Sequence, residues 1–282
     1  MTAEIHLTSH ILLSSVTDMT NFTSNKIGPA PERALEWLRR WDAQQERYVP
    51  DRDERFAVIG DVVAAVVADA SSPVVVDLGA GPGSLSVRLL DRIPHARLVA
   101  VDADPLLLGL ARSAYGDRAG LHVVEHDLRD EGWAAAAHLR DGSVDAIVST
   151  TALHWLTGPQ LAAVYATAGR LLRPGGVLVD GDHLLETDGR AQLRHLTRVV
   201  RDARVRRVGT GANEDWAAWW DAVGRAPELA NLFGARGARP IEHEVPDLPS
   251  LDDHVRYLRD AGFTEVGTVW QHGDDRVLVG VR

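Results

Sequence analysis

Asp77-Leu78-Gly79-Ala80-Gly81-Pro82-Gly83 places three glycines at alternate positions, directly after the apolar run VVVDLG and directly before the helical stretch SLSVRLLDR. Glycines in a strand-to-helix turn permit positive φ and bring a ligand against bare backbone, and a helix start offers unpaired N–H groups. That chemistry suits a nucleotide-like ligand. Nineteen residues after Gly83 the next apolar run ends in Asp102, whose carboxylate can accept hydrogen bonds from both hydroxyls of a ribose. The dinucleotide fingerprint G-x-G-x-x-G would need a glycine at position 84, where Ser84 stands. A ribose site is common to several nucleotide-like ligands, so Asp102 does not choose among them. Asp104, just before Pro105, has the position of a helix N-cap. Two histidines follow later strands: His154 in Ala152-Leu153-His154-Trp155 and His183 in Asp180-Gly181-Asp182-His183. Either ring can take a proton near neutral pH, or can simply pack at a pocket lip.

These groups need a scaffold, and the sequence describes one. VVVDLG, RLVAVD, LHVVEH, VDAIVS and GVLVDG are short Val- and Ile-rich runs with helical stretches between them. Strands alternating with helices make a parallel sheet covered on both faces, with its ligand beyond the carboxyl ends of the strands. The chain closes with FTEVGTVW, the turn QHGDD and RVLVGVR, a pair that must be antiparallel because the turn is short. Before the sheet, helices are expected from Pro31 and from about Asp53 to Asp69. After the fifth strand, residues 183–247 form a long interruption rich in arginine and tryptophan, followed by a helix near Leu251 to Asp260. Residues 1–30 differ in texture, with Ser, Thr and Asn dense and the lone lysine, Lys26, among them; they read as a flexible extension. Met19 offers a second possible translation start.

Composition narrows the function classes. A net charge of −10 repels phosphate backbones, so nucleic acid is not an expected partner. With no cysteine, the chain has no disulfide, thiol nucleophile or thiolate metal site. No apolar run approaches the length of a membrane span, and the opening residues lack the basic start of a signal peptide, so the expectation is a cytoplasmic protein with no membrane partner.

Asp77-x-Gly79-x-Gly81-x-Gly83, Asp102, His126-Asp127-Leu128 and Leu172-Arg173-Pro174-Gly175-Gly176 together resemble class I S-adenosylmethionine-dependent methyltransferases. The resemblance covers roughly residues 53 to 182, and the closing pair is similar to the reversed last hairpin of that family's sheet. Ala152-Leu153-His154-Trp155 is similar to the small-molecule branch that includes trans-aconitate methyltransferases. The fold this implies is α/β: a Rossmann-like seven-stranded sheet with a reversed C-terminal hairpin and helical lid additions. One methyltransferase domain would span 31–282, with lid helices at 31–70 and an inserted cap at about 183–247.

The resemblance implies S-adenosylmethionine as cofactor and S-adenosylhomocysteine as product. Asp77 and the backbone of Gly79, Ala80, Gly81 and Gly83 would meet the methionine portion, the carboxylate facing its ammonium and the N–H groups its carboxylate. Asp102 would hold the ribose with Ala103 beside the adenine, Asp127 would accept from the adenine amino group under Leu128, and Ser149 would lie near the departing methyl. Asp127 equally suits an N-cap for a helix that follows it. Pro174-Gly175-Gly176 reads as a turn. For an oxygen acceptor, His154 is the first candidate base and His183 the second. The fourth strand ends in Ser149 rather than an acid, so no metal is expected, although Asp182, His183 and Glu186 are grouped in sequence. Trp37, Trp41, Tyr48, Trp155, Trp216, Trp219 and Trp220 could roof a substrate pocket or simply pack. On RAQLRHLTRVVRDARVRR, the stripe Arg194, Arg198, Arg201 and Arg204 is either a solvated face or a site for an anionic substrate. The activity expected is methyl transfer to a small-molecule oxygen, by a monomer or a homodimer. A nicotinamide-dependent oxidoreductase and a cofactor-binding protein without transfer activity are the alternatives.

Overall fold

A computed structural model describes residues 28–50, 52–239, 241, 245 and 248–282. Nearly all of the expected extension at 1–30, and the end of the expected cap near 247, lie outside the described residues.

Seven strands form one sheet: β1 Val74–Leu78, β2 Arg97–Asp102, β3 Leu121–Glu125, β4 Val144–Thr150, β5 Leu172–His183, β6 Glu265–His272 and β7 Asp275–Val281. Their order is β3-β2-β1-β4-β5-β7-β6. The first five run parallel, and β7 lies antiparallel to both β5 and β6. This is the expected Rossmann-like α/β sheet with its reversed hairpin, and it differs from the sequential 3-2-1-4-5-6 dinucleotide order. The central strands are continuous apolar runs because both faces are covered. On one face, Phe56, Ile59 and Val63 of α2 (Arg52–Val66) join Leu85 and Leu89 of α3 (Ser84–Arg92). Against the other face pack α5 (Trp133–Ala136), α6 (Gly158–Leu171) and α10 (Leu251–Asp260), through Trp133, Leu161, Tyr165 and Leu258.

Strand order reverses between β1 and β4, which puts a crevice above their carboxyl ends, and further helices close over it. In α1 (Pro31–Glu46), Ala34, Trp37, Leu38 and Trp41 are buried at helical spacing, with Pro31 in the first turn, where a missing N–H costs nothing. They meet Leu106, Leu107 and Leu110 of α4 (Pro105–Tyr115) and Trp219 and Val223 of α8 (Trp216–Arg225). Asp104 caps α4 as expected, accepting from the N–H groups of Leu106 and Leu107. Leu232 of α9 (Ala230–Gly237) sits so close to α4 that a Cβ on Gly109 would lie 2.4 Å from its Cδ2. α8 and α9 are therefore packed on α1 and α4 through an apolar interface.

Two expectations change. Pro174-Gly175-Gly176 is not a separate turn but an irregular stretch within β5, where Gly175 takes φ of 74° and its N–H donates to Arg282 O. On α7 (Ala191–Val208), neither reading of the arginine stripe holds as stated. Arg204 is buried against Asp275 and Arg201 pairs with Asp274, while Arg194 is held by Glu186 O and Asp188. Leu193, Leu196, Val199 and Val200 face outward instead. Asp274 and Asp275, buried at the β6–β7 turn, require counter-charges, and that demand outweighs burial of the leucines.

Candidate active site

A cavity of about 480 Å³ lies beyond the carboxyl ends of β1, β2 and β4, within the usual range for small-molecule sites. Its floor is the β1–α3 turn. Gly79, Gly81 and Gly83 have φ of 68°, 55° and 85°, so all three glycines occupy left-handed backbone. Gly79 is constrained twice, because a Cβ there would fall 2.2 Å from the Cβ of Ala152. The turn's N–H groups are spent internally. Gly79 and Ala80 donate to Val101 O, Gly83 donates to Ala80 O, and Gly81 donates to Asp102 Oδ2 at 2.7 Å. The expectation of loop N–H groups open to a ligand is corrected accordingly: the loop offers close approach, and the donors lie elsewhere.

Asp102 lies in the cavity wall with Ala103 beside it. Its Oδ1 accepts from the Asp104 N–H at 2.8 Å, so both oxygens are oriented by backbone while lone pairs remain for a ligand. Burial pushes its carboxyl up to about 6, with the hydrogen bonds from Asp104 and Gly81 opposing that rise. It is thus mostly ionised at neutral pH. Asp77 is placed differently from expectation. It is fully buried behind the loop and outside the cavity wall, accepting from Ser86 Oγ at 2.6 Å, and burial pushes it up to about 7. Gly83, the residue before α3, is also outside the wall.

Asp127 and Leu128 line the cavity. No helix starts at Asp127, so it is not the N-cap considered above. Its Oδ1 accepts from the Arg129 N–H and its carboxylate is gripped by the Arg129 guanidinium. Partial burial works against the charge, but the Arg129 hydrogen bonds outweigh it and hold the carboxyl below its usual range. Ser149 is buried and donates to Leu78 O at 2.8 Å. The wall beside it is built from the next residues, Thr150, Thr151 and Ala152, with Thr151 held at φ of 51°.

His154 occupies the cavity wall on a short 3₁₀ turn, Leu153–Trp155. Its Nδ1 lies 2.8 and 2.9 Å from the two carboxylate oxygens of Asp182, a residue only 1% exposed. Burial lowers the affinity of this ring for a proton, yet the charge and hydrogen bond of Asp182 prevail and raise it above its ordinary value. The same contact, against burial, holds Asp182 below the usual carboxylate range. Nδ1 is thereby occupied and Nε2 is the nitrogen left for a ligand. Sequence reasoning missed this partner. Parallel register pairs Thr150 with Gly181, which sets the residues following β4 beside Asp182; neighbouring strand ends were the signal that could have found it. His183 also lines the cavity, with Nδ1 3.2 Å from Asp274. Asp182, His183 and Glu186 do not converge on one point, since Glu186 is taken by Arg276 and Arg190.

The aromatic residues divide. Trp41, Tyr48, Trp155 and Trp220 line the cavity, joined by Trp216. Trp37 and Trp219 do not: they are buried behind the roof, Trp219 standing edge-on to Trp41 at 5.0 Å and to Trp37 at 6.0 Å. Arg52, the first residue of α2, completes the wall and was not anticipated.

Residues 75–176 match the family described as a methyltransferase domain. A trans-aconitate 2-methyltransferase from Azoarcus sp. (strain BH72) is 39% identical over 138 residues, 49% of this chain and 49% of that protein. A malonyl-[acyl-carrier protein] O-methyltransferase from Hahella chejuensis is 31% identical over 133 residues, 46% of this chain and 43% of that protein. The chain thus spans about half the length of these curated relatives. Among solved structures, a CurJ carbon methyltransferase superposes with a TM-score of 0.51 at 17% identity, covering 80% of this chain and 53% of that one. An O-methyltransferase family protein from Burkholderia thailandensis gives 0.50 at 21% identity, covering 85% and 62%. These likenesses support the fold, and no helix among the described residues is long and apolar enough to cross a membrane. Residues 75–176, which carry the glycine turn and Asp102, thus match a methyltransferase domain, and the sheet beyond them closes in the antiparallel β7–β6 hairpin.

Proposed function

We propose that this protein transfers a methyl group from S-adenosylmethionine to an oxygen of a small molecule, leaving S-adenosylhomocysteine. The observation that carries this reading is a single cavity with the glycine turn and Asp102 on one wall and His154, backed by Asp182, on another. The residues fit the cofactor. Gly81 lines the cavity, and nothing lies nearer than 3.9 Å to where its Cβ would be, so the turn offers bare surface to a close ligand, and Asp102 retains acceptor capacity for ribose hydroxyls.

The cofactor supplies a methyl group bonded to a positively charged sulfur that becomes neutral when the methyl leaves. Charge dispersal favours a dry site, and Trp41, Trp155, Trp216 and Trp220 line this one and would shield the reacting atoms from water. Asp102 would fix the ribose, Asp127 the adenine edge, and Ala103 and Leu128 the ring faces, so that the acceptor oxygen lies in line with the methyl. His154 Nε2 would take the acceptor's proton as the O–CH₃ bond forms and the S–CH₃ bond breaks. Asp182 stabilises the resulting imidazolium and holds the proton at Nδ1. His183, bound to Asp274, is the second candidate for this proton.

A carboxylate acceptor is the second reading, favoured by the upward displacement of His154, since a protonated ring would hold an anion instead of deprotonating it. Transfer from methyl-labelled S-adenosylmethionine to panels of hydroxyl and carboxylate acceptors, measured across pH, separates the two. A base requires transfer to rise as pH passes upward through the His154 titration; an imidazolium clamp requires it to fall. Binding of the cofactor with no transfer to any acceptor of either class would leave a cofactor-binding protein.

A further inference from the structure

We propose that Arg52 is the counter-charge for the carboxylate at the amino-acid end of the cofactor, in place of the backbone of the glycine turn. This rests on the reading of the cavity as an S-adenosylmethionine site. A carboxylate leaving water needs replacement donors, and the obvious ones are spent: the N–H groups of Gly79, Ala80, Gly81 and Gly83 all donate within the protein, and Pro82 has none. Arg52 is the buried cation in the cavity wall, 6% exposed. Its Nη1 donates to Asp42 Oδ1 at 2.6 Å, while its Nε is buried with no acceptor among the described residues.

Asp42 also accepts from Ser84 Oγ at 2.6 Å, and Arg88, 3.5 Å from Asp42, has a closer partner in Asp53 at 3.0 Å, so Asp42 is the carboxylate that holds Arg52. The bond to Ser84 ties Arg52 to the first residue of α3, whose opening N–H groups have no intrahelical acceptor. An anion placed there would meet a planar guanidinium, which binds carboxylates through paired N–H donors. Burial lowers the proton affinity of Arg52, against the charge and hydrogen bond of Asp42, and its guanidinium lies over the Phe56 ring at 4.6 Å.

Calorimetric titration of wild type, Arg52→Gln and Arg52→Lys tests this with three probes: S-adenosylhomocysteine, decarboxylated S-adenosylmethionine and 5′-methylthioadenosine. Only the first carries the carboxylate. Arg52→Gln should weaken S-adenosylhomocysteine by about 10- to 100-fold, the loss expected for a charge-assisted hydrogen bond. The other two probes should change less than about twofold, and Arg52→Lys should fall between wild type and the glutamine variant because it keeps charge without the fork. Asp42 remains held by Ser84 and Arg88 in both variants, which favours folding. Equal S-adenosylhomocysteine affinity in wild type and Arg52→Gln would overturn the proposal. So would equal losses for all three probes, which mark a structural role. If Arg52→Gln does not fold, the lysine variant decides on the same criterion. Failure of wild type to bind any probe would instead remove the cofactor reading, and the inference with it.

Discussion

Replacing Asp182 with asparagine keeps the shape of the His154 contact and removes its charge. Both carboxylate oxygens lie within 2.9 Å of His154 Nδ1, and the carboxylate is shielded from water, so the bond is charge-assisted and poorly screened. Such a bond contributes about 1.5–3 kcal/mol, which corresponds to a loss of about 10- to 150-fold in turnover on a hydroxyl acceptor if it is made in the transition state. The asparagine can also present its amide to Nδ1 and force the wrong tautomer, which pushes the loss toward the upper end. Burial of the imidazole persists in the variant while the opposing charge is gone, so His154 must titrate lower than in wild type and the acidic limb of the pH profile must move to lower pH. Stability follows the same pair. The raised His154 contributes stability below its unfolded value of about 6.5, lost as pH rises through its folded value; the depressed Asp182 contributes above about 3.9, lost as pH falls through its own. Wild type should therefore exceed the variant in melting temperature most between about pH 4 and 6.5. The assay is a pH series of kcat and kcat/KM with cofactor affinity measured alongside. An unmoved acidic limb together with unchanged plateau turnover would refute the pairing as a working unit.

Further outcomes follow from the same geometry. His154→Ala should lower turnover on a hydroxyl acceptor by about 100-fold or more while leaving S-adenosylhomocysteine affinity within about twofold; a retained rate sinks the base role. Gly79→Ala combines a left-handed φ with the clash at Ala152 and should cost about 2–5 kcal/mol in chemical denaturation. Adding Ala152→Gly should restore the steric part alone, and full restoration would contradict the φ argument. Trp219→Ala empties the joint between α1 and α8 and should destabilise the fold by about 3–5 kcal/mol, read from urea midpoints; a cost below about 1 kcal/mol would show that the cap does not depend on that joint.

Local chemistry made part of this legible in the sequence. The strands stood out because Val-Val-Val and Val-Ala-Val are buried on both faces, and Asp104-Pro105 announces a helix start through capping alone. The glycine turn was recognisable because left-handed backbone restricts residue type there, and Asp102 because a carboxylate ends the next apolar strand. Long-range pairing was less accessible. Asp182 is 28 residues from His154, and only the register of β4 against β5 joins them. The outward apolar stripe of α7 contradicts its own periodicity because Asp274 and Asp275, some 70 residues away, claim its arginines. Arg52 gave no signal in its own segment, since its role depends on Asp42, Ser84 and the internal use of the turn's N–H groups. Trp37 and Trp41 lie on one helix, yet only the docking of α8 sends one into the core and the other to the cavity.

Calorimetric titration of S-adenosylhomocysteine and NAD into wild type and Asp102→Ala tests the central claim most directly. Asp102 faces the cavity with both oxygens oriented by backbone donors, so removing it takes away a ribose partner and leaves the Gly81 and Asp104 N–H groups unmet. The account requires saturable S-adenosylhomocysteine binding by wild type, a loss of about 1–3 kcal/mol in the folded variant and no comparable affinity for NAD. Tight NAD binding, or S-adenosylhomocysteine affinity unchanged by Asp102→Ala, would contradict it.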